Sequence, residues 1–322
     1  MNGRHHMNTK LDMKHRSSRL WLGCALALVF PAALALLAAP QAGPRKFDSA
    51  QQAADALIAA SQNYDVPALT EILGPDSMDL LTSQDPVQDK KLGMEFGAKA
   101  KLKNTLVADP DNPKFVVLTV GTDDWPMPIP ILKSGKTWAF DTKIGREEIL
   151  ARRIGGNELD ALQICHGYVE AQHEYAREKH EGSQVNQYAQ RIISTPFTHD
   201  GLAWKNSDDT WGGPIGKEIA GAIEQGYRNR SQPYHGYFFK ILKGQGPDAP
   251  LGEMDFVVKG AMIGGFAMVA APAQYKVTGV MTFMVGYDGI VYQKDNGKNS
   301  LDVFTKMERY NPDKTWTPAE EQ

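Results

Sequence analysis

Cysteine is scarce: the 322 residues hold two, Cys24 and Cys165. No paired Cys motif exists, so a zinc ribbon and a dithiol redox centre are both excluded. The usual catalytic signatures are missing too. There is no Gly-x-Ser-x-Gly elbow, no His-Glu-x-x-His, and no strand followed by a Gly loop and Lys-Ser/Thr. Gly244-Gln245-Gly246 and Gly264-Gly265 are therefore not phosphate loops. A basic excess is absent as well, with 35 Lys and Arg against 38 acids and a net charge of −3. That leaves no electrostatic footprint for nucleic acid. Thirty Gly and 19 Pro are ordinary at this length, which excludes collagen-like and low-complexity chains. What remains, 42% hydrophobic and 23% charged, is globular, and the length favours two domains at about 150 residues each.

The charge is unevenly spread. Arg4, Lys10, Lys14, Arg16 and Arg19 precede an apolar run from Leu20 to Ala39, interrupted by Pro31. This pattern predicts an export signal over residues 1–42, with cleavage between Ala39 and Ala42. An uncleaved anchor is the alternative, and membrane contact is then confined to this segment. The expected location is the periplasm or cell envelope. Residues 1–42 carry 5 of the basic and 1 of the acidic side chains, which leaves 30 against 37, a net charge of −7. Cys165 is then the sole cysteine, so no internal disulfide is available and the core must hold the fold.

Residues 43–150 read as an N-terminal α+β domain. Phe47–Asn63 has apolar residues at helical spacing behind Asp48 and Ser49. Asp65–Leu73 is a second short helix, and 78–81 and 92–100 are helical turns. Phe115–Val120 is a strand, 123–130 an extended connector, and 131–140 a hairpin turning at Ser134-Gly135. Asp123, Asp124 and Trp125 read as a solvated turn. Residues 135–142, GKTWAFDT, resemble the last strand of the nuclear-transport-factor-2-like (SnoaL-like) cone fold, which implies a pocket.

Residues 151–322 read as a long helix followed by an antiparallel sheet of about five strands. Gly145–Ile154 is a short helix, broken by Gly155-Gly156, and Asn157 caps a longer one to about His180. Cys165 falls on its apolar face and is expected to be buried and inert. His166, His173 and His180 recur every seven residues, with Glu170 between the first two. His166, Glu170 and His173 form a candidate metal set, because Glu-x-x-His is the spacing of di-metal carboxylate bundles. An ion-paired helix border is the plain alternative, and a pH-responsive edge another. Further on, Lys217–Gln225 is a helix stopped by Gly226, and 237–242, 255–259, 266–270, 281–285 and 290–294 are strands. His199, Asp200 and His235 are a candidate polar cluster, which Asp288 could join. Trp204, Trp211, Tyr234 and Tyr237 are candidates to line a ligand groove.

Long segments carry a family resemblance. They include GREEILARRIGGNELDAL (145–162), GGPIGKEIAGAIEQGY (212–227), PYHGYFFKILKGQGP (233–247), MIGGFAMVAAPAQY (262–275) and GVMTFMVGYDGIVYQKDNG (279–297). From about Phe47 to Trp316 the chain resembles the bacterial exported family called domain of unknown function 2950. The resemblance implies export and no activity. The C-terminal pattern is also similar to type IV pilin-like and pseudopilin globular domains, in which a long helix packs on an antiparallel sheet. Here the apolar segment lies more than 100 residues upstream of the long helix, so filament assembly of the usual kind is not implied. Two functional readings stand. The first is a non-catalytic cell-envelope scaffold or binding module, with an envelope protein or a glycan as partner and no cofactor. The second is an exported metal-assisted hydrolase built on the His/Glu cluster.

Overall fold

The computed structural model describes residues 43–180, 182–227 and 231–319, so the expected export signal lies outside the described residues. Residues 41–322 form one compact unit, and two hydrophobic cores lie along it.

The first core is built by helices and a small sheet. Ser49 accepts the Gln52 N–H and starts α1 (Ala50–Gln62), which buries Ala53, Ala54, Leu57 and Ile58. Asp65 caps α2 (Val66–Leu73), and a single turn, α3 (Met78–Leu81), follows. Asp85 caps α4 (Pro86–Leu102). The sheet strands are β1 (Asn104–Ala108), β2 (Phe115–Val120), β3 (Trp125–Pro126), β4 (Ile131–Ser134) and β5 (Thr137–Phe140). They are antiparallel in the order β1-β2-β4-β5, with β3 also paired to β2. Val116, Leu118 and Val120 alternate inward along β2, as the sequence pattern requires. Helix α4 is 17 residues long, where the sequence suggests only short turns. It buries Asp89, Gly97 and Ala100 and no large apolar side chain. A Cβ at Gly97 would sit 2.6 Å from the Gln62 nitrogen, so α4 approaches α1 through backbone. Contact through a glycine leaves no apolar stripe to read.

A single helix, α5 (Arg146–Tyr175), joins the two cores. Its 30 residues span about 45 Å at the α-helical rise. It runs unbroken through Gly155-Gly156, contrary to the sequence expectation. Two glycines cost about 2 kcal/mol of helix propensity. Tertiary anchors directly beyond them offset that cost. Asn157 Nδ2 donates to the Thr278 carbonyl at 2.9 Å, so Asn157 binds across the structure instead of capping. Glu158 Oε1 accepts the Val280 and Met281 N–H groups at 2.8 and 3.0 Å. The helix also ends at Tyr175, five residues before His180.

Beyond it come the hairpin β6 (Trp204–Lys205) and β7 (Trp211–Gly212), then α6 (Gly216–Gln225), closed by Gly226 at φ 109°. The strands that follow are β8 (Tyr237–Leu242), β9 (Gly244–Gln245), β10 (Met254–Asp255), β11 (Val257–Val258), β12 (Ala261–Met262), β13 (Ala267–Pro272), β14 (Met281–Gly286) and β15 (Val291–Asp295). Helix α7 (Ser300–Lys306) and β16 (Thr317–Pro318) follow. The main sheet is antiparallel, five-stranded and ordered β16-β15-β14-β13-β8. Every residue of β13 is buried, as its unbroken apolar run implies. Helix α5 packs on β13, β14 and β15. The strand expected over 255–259 is split, because β10 pairs with β9 and β11 with β12, with Phe256 buried between them. The architecture is α+β. Among the described residues no helix is long and apolar enough to cross a membrane.

Candidate functional site

The candidate metal residues lie together on one helix. On α5, His166 is half-buried while Glu170 and His173 are exposed. The His173 ring meets Phe266 edge-on, with centroids 5.4 Å apart. Among the described residues no group of three or more His, Cys, Asp or Glu could hold a metal ion. His180 leaves the stripe because the helix has ended. It stacks on the Tyr175 ring at 3.8 Å, and its Nε2 lies 2.9 Å from the Tyr175 carbonyl.

The expected polar cluster divides. Asp200 accepts the Thr195 N–H and hydroxyl, the Thr198 hydroxyl and Arg191 Nε at 2.7 to 3.1 Å. Burial pushes its carboxyl up, but the bonds from Thr195 and Thr198 and the Arg191 charge outweigh that and hold it below its ordinary value. His199 stacks on Trp204 at 4.4 Å, and its carbonyl accepts the Tyr175 hydroxyl. His235 instead pairs through Nδ1 with Asp160 Oδ2 at 2.6 Å. Asp160 and Tyr175 lie 15 residues apart on α5, about 22 Å along its axis, so His235 does not join His199 and Asp200. Asp288 accepts the Ile290 N–H in the β14–β15 hairpin and acts as a turn residue.

The four aromatic candidates likewise occupy three settings. Tyr237 is fully buried and donates its hydroxyl to the Met281 carbonyl, so it belongs to the core and lines no groove. Trp204 and Trp211 are half-buried on the β6–β7 hairpin. Tyr234 stacks on His235 at 4.2 Å and meets Tyr227 edge-on. Beside them Asp85, 1% exposed, accepts the Gln88 N–H with Oδ1, and the Tyr227 hydroxyl and Gly236 N–H with Oδ2. One carboxylate thus starts α4 and ties it to the loop before β8.

A further recess lies elsewhere, inside the first core. A cavity of about 400 Å³ opens there. Leu57 of α1, Leu69 and Leu73 of α2, Val120 of β2, and Met127 and Ile129 form its apolar floor. At the mouth Phe96 meets Trp125 edge-on, and the Arg152 guanidinium lies 4.9 Å from the Trp125 ring centre while Nε bonds Glu148. Lys99, Glu95 and Asp123 are exposed around it. Asp124, by contrast, turns outward to Lys103, as a solvated turn residue should.

One pole of the cavity is polar. Tyr64 donates its hydroxyl to the Leu81 carbonyl at 2.5 Å. Asp89 accepts the Ser83 N–H and hydroxyl. Arg153 donates to the Asp79 carbonyl at 2.7 Å and to that of Leu80. Burial raises the Asp89 carboxyl, against the pull of Ser83 and Arg153. Burial lowers Arg153, against Asp89, Tyr64 and Asp79. Burial, aided by Asp89, pushes the Tyr64 phenol up to about 12. No His or Cys lines the cavity among the described residues. An apolar recess with a few convergent polar groups is the arrangement of a small-molecule site.

Sequence reasoning missed this site. Its walls come from α1 to α5 and from β2 and β3, and each residue of its floor taken alone reads as ordinary core. Only Asp123 and Trp125 stood out, as a turn. By class the chain is an α+β fold with an apolar recess in its first core. Residues 44–319 match the family described as "Protein of unknown function (DUF2950)", and the chain belongs to that family. None of the curated proteins and none of the solved structures compared with the chain matches it, so the cone-fold and pilin resemblances gain no support.

Proposed function

We propose that this chain is an exported, non-catalytic binding module of the cell envelope. Its ligand is a small apolar molecule held in the cavity between α1, α2, α4, β2 and the first turns of α5. The recess of about 400 Å³ carries this reading, because an apolar cleft of this size with a few polar groups at one end is the usual setting of a small-molecule site. Export rests on the basic residues followed by the apolar run from Leu20 to Ala39. Envelope proteins and glycans are then its neighbours, and a net charge of −7 beyond residue 42 does not suit nucleic acid. A metal-assisted hydrolase has no ligand set to build on among the described residues.

Titration with the uncharged dye N-phenyl-1-naphthylamine tests the reading. The expected result is saturable binding at one site, lost in Leu57→Phe and Leu69→Phe, which push a ring into the void. Overpacking costs about 1–3 kcal/mol, so both variants remain folded by circular dichroism. Dye binding that is undiminished in both folded variants refutes the proposal, as does no saturable binding by the wild type.

A further inference from the structure

We infer that the cavity takes an uncharged amphiphile, an aliphatic body with a small neutral hydrogen-bonding head, in preference to a fatty acid or an alkylammonium. The inference rests on the binding reading above and adds the chemical class of the ligand. The body follows from the floor, where Leu57, Leu69, Leu73, Val120, Met127 and Ile129 offer no polar atom beyond their backbone.

The head follows from the charge arrangement at the polar pole. Asp89 and Arg153 bring one charge of each sign, and the Tyr64 phenol beside them is neutral. Each group is already engaged by the α3–α4 connection. The Asp89 oxygens hold Ser83, the terminal nitrogens of Arg153 hold the Asp79 and Leu80 carbonyls, and the Tyr64 proton goes to Leu81. The pole therefore has no surplus charge to neutralise an incoming ion. A carboxylate head that reaches Arg153 also meets the Asp89 charge, and an ammonium head that reaches Asp89 also meets Arg153, so the attraction either ion gains is offset while it still loses its hydration. A neutral hydroxyl, ester or amide meets no such cost. All three can accept from an Arg153 N–H not used by Asp79 or Leu80, and a hydroxyl or an amide N–H can also donate to the remaining lone pair of the Tyr64 oxygen.

The mouth selects in the same direction. Lys99 and Arg152 stand there with Glu95 and Asp123, and Arg152 is already paired with Glu148, so the mouth holds no positive excess that would draw in a carboxylate. The pole also explains why these ionisable groups are tolerated in an apolar recess. As a balanced, hydrogen-bonded set they give the head a direction, while the floor alone would hold a chain in either orientation.

Displacement of N-phenyl-1-naphthylamine from the full chain at neutral pH, by decanol, decanoate and decylammonium below their micelle concentrations, tests the assignment. Decanol is expected to displace the dye at a concentration roughly tenfold lower than either ion. Displacement by decanoate or decylammonium at the same or a lower concentration overturns it. Asp89→Asn keeps an acceptor for Ser83 and removes the negative charge, so decanoate should gain roughly tenfold. Arg153→Met should shift the preference toward decylammonium in the same way. Unchanged preference in both variants overturns the role of the pole. Failure of the binding reading looks different, because then the dye itself does not bind and there is nothing to displace.

Discussion

Replacement of Asp85 by alanine should be among the most damaging single changes at any helix start in this protein. Three losses coincide. The N-cap bond to Gln88 goes, which costs about 1 kcal/mol. The Gly236 N–H is left buried without a partner, at about 1–3 kcal/mol. The Tyr227 hydroxyl loses a charged acceptor, but it is half-buried and water recovers part of that bond. The sum is about 3–5 kcal/mol. Asp65→Ala is the matched control, since Asp65 is exposed and caps α2 through one bond to Ala68, worth about 1 kcal/mol. Asp85→Asn should fall between, because its carbonyl oxygen still caps α4. Urea and thermal unfolding followed by circular dichroism measure the series. At about 2 °C per kcal/mol for a domain of this size, Asp85→Ala should melt roughly 6 °C below Asp65→Ala. Hydrogen exchange adds a local reading, with the Gly236 amide protected in the wild type and exposed in the variant. Equal melting temperatures for Asp85→Ala and Asp65→Ala would refute the reasoning.

Two further outcomes follow from single residues. Gly155→Ala and Gly156→Ala should each stabilise the protein by about 1 kcal/mol, since both positions are helical and an added Cβ meets nothing within 4 Å; a lowered melting temperature in either variant contradicts that. Cys165 is fully buried, and burial pushes its thiol up to about 12, so iodoacetamide should label it only after unfolding. Peptide mass spectrometry that finds the native thiol alkylated would disprove this.

Local pattern made much of the fold legible, and what it missed lies where long-range contact decides. Phe115–Val120 and Tyr237–Leu242 are strands to the residue, because β-branched and aromatic residues were bounded by turn residues. Gly226 stops α6 where a left-handed residue is needed. Gly155-Gly156 misled, because the bonds that carry α5 past them come from residues more than 120 positions away. Helix α4 is longer than its pattern suggests for a similar reason, since its contact with α1 is made through Gly97. Cys165 was legible, because burial follows from periodicity alone. The histidine stripe was real along α5 only as far as His173. Spacing on one helix says nothing about whether a facing element supplies the other ligands. The cavity was illegible because a void is a property of how walls meet, and no single wall announces it.

The placement of α5 has a consequence for inheritance. Its first turns, through Ile149 and Arg153, wall the cavity, and its later turns, through Cys165 and Tyr168, fill the second core. A recombination point anywhere along it would strip one core of a wall and hand the other a helix cut in mid-span. The N-terminal cavity and the C-terminal sheet are therefore not exchangeable modules. Both are built on the same helix, and the family match from 44 to 319 spans the two together.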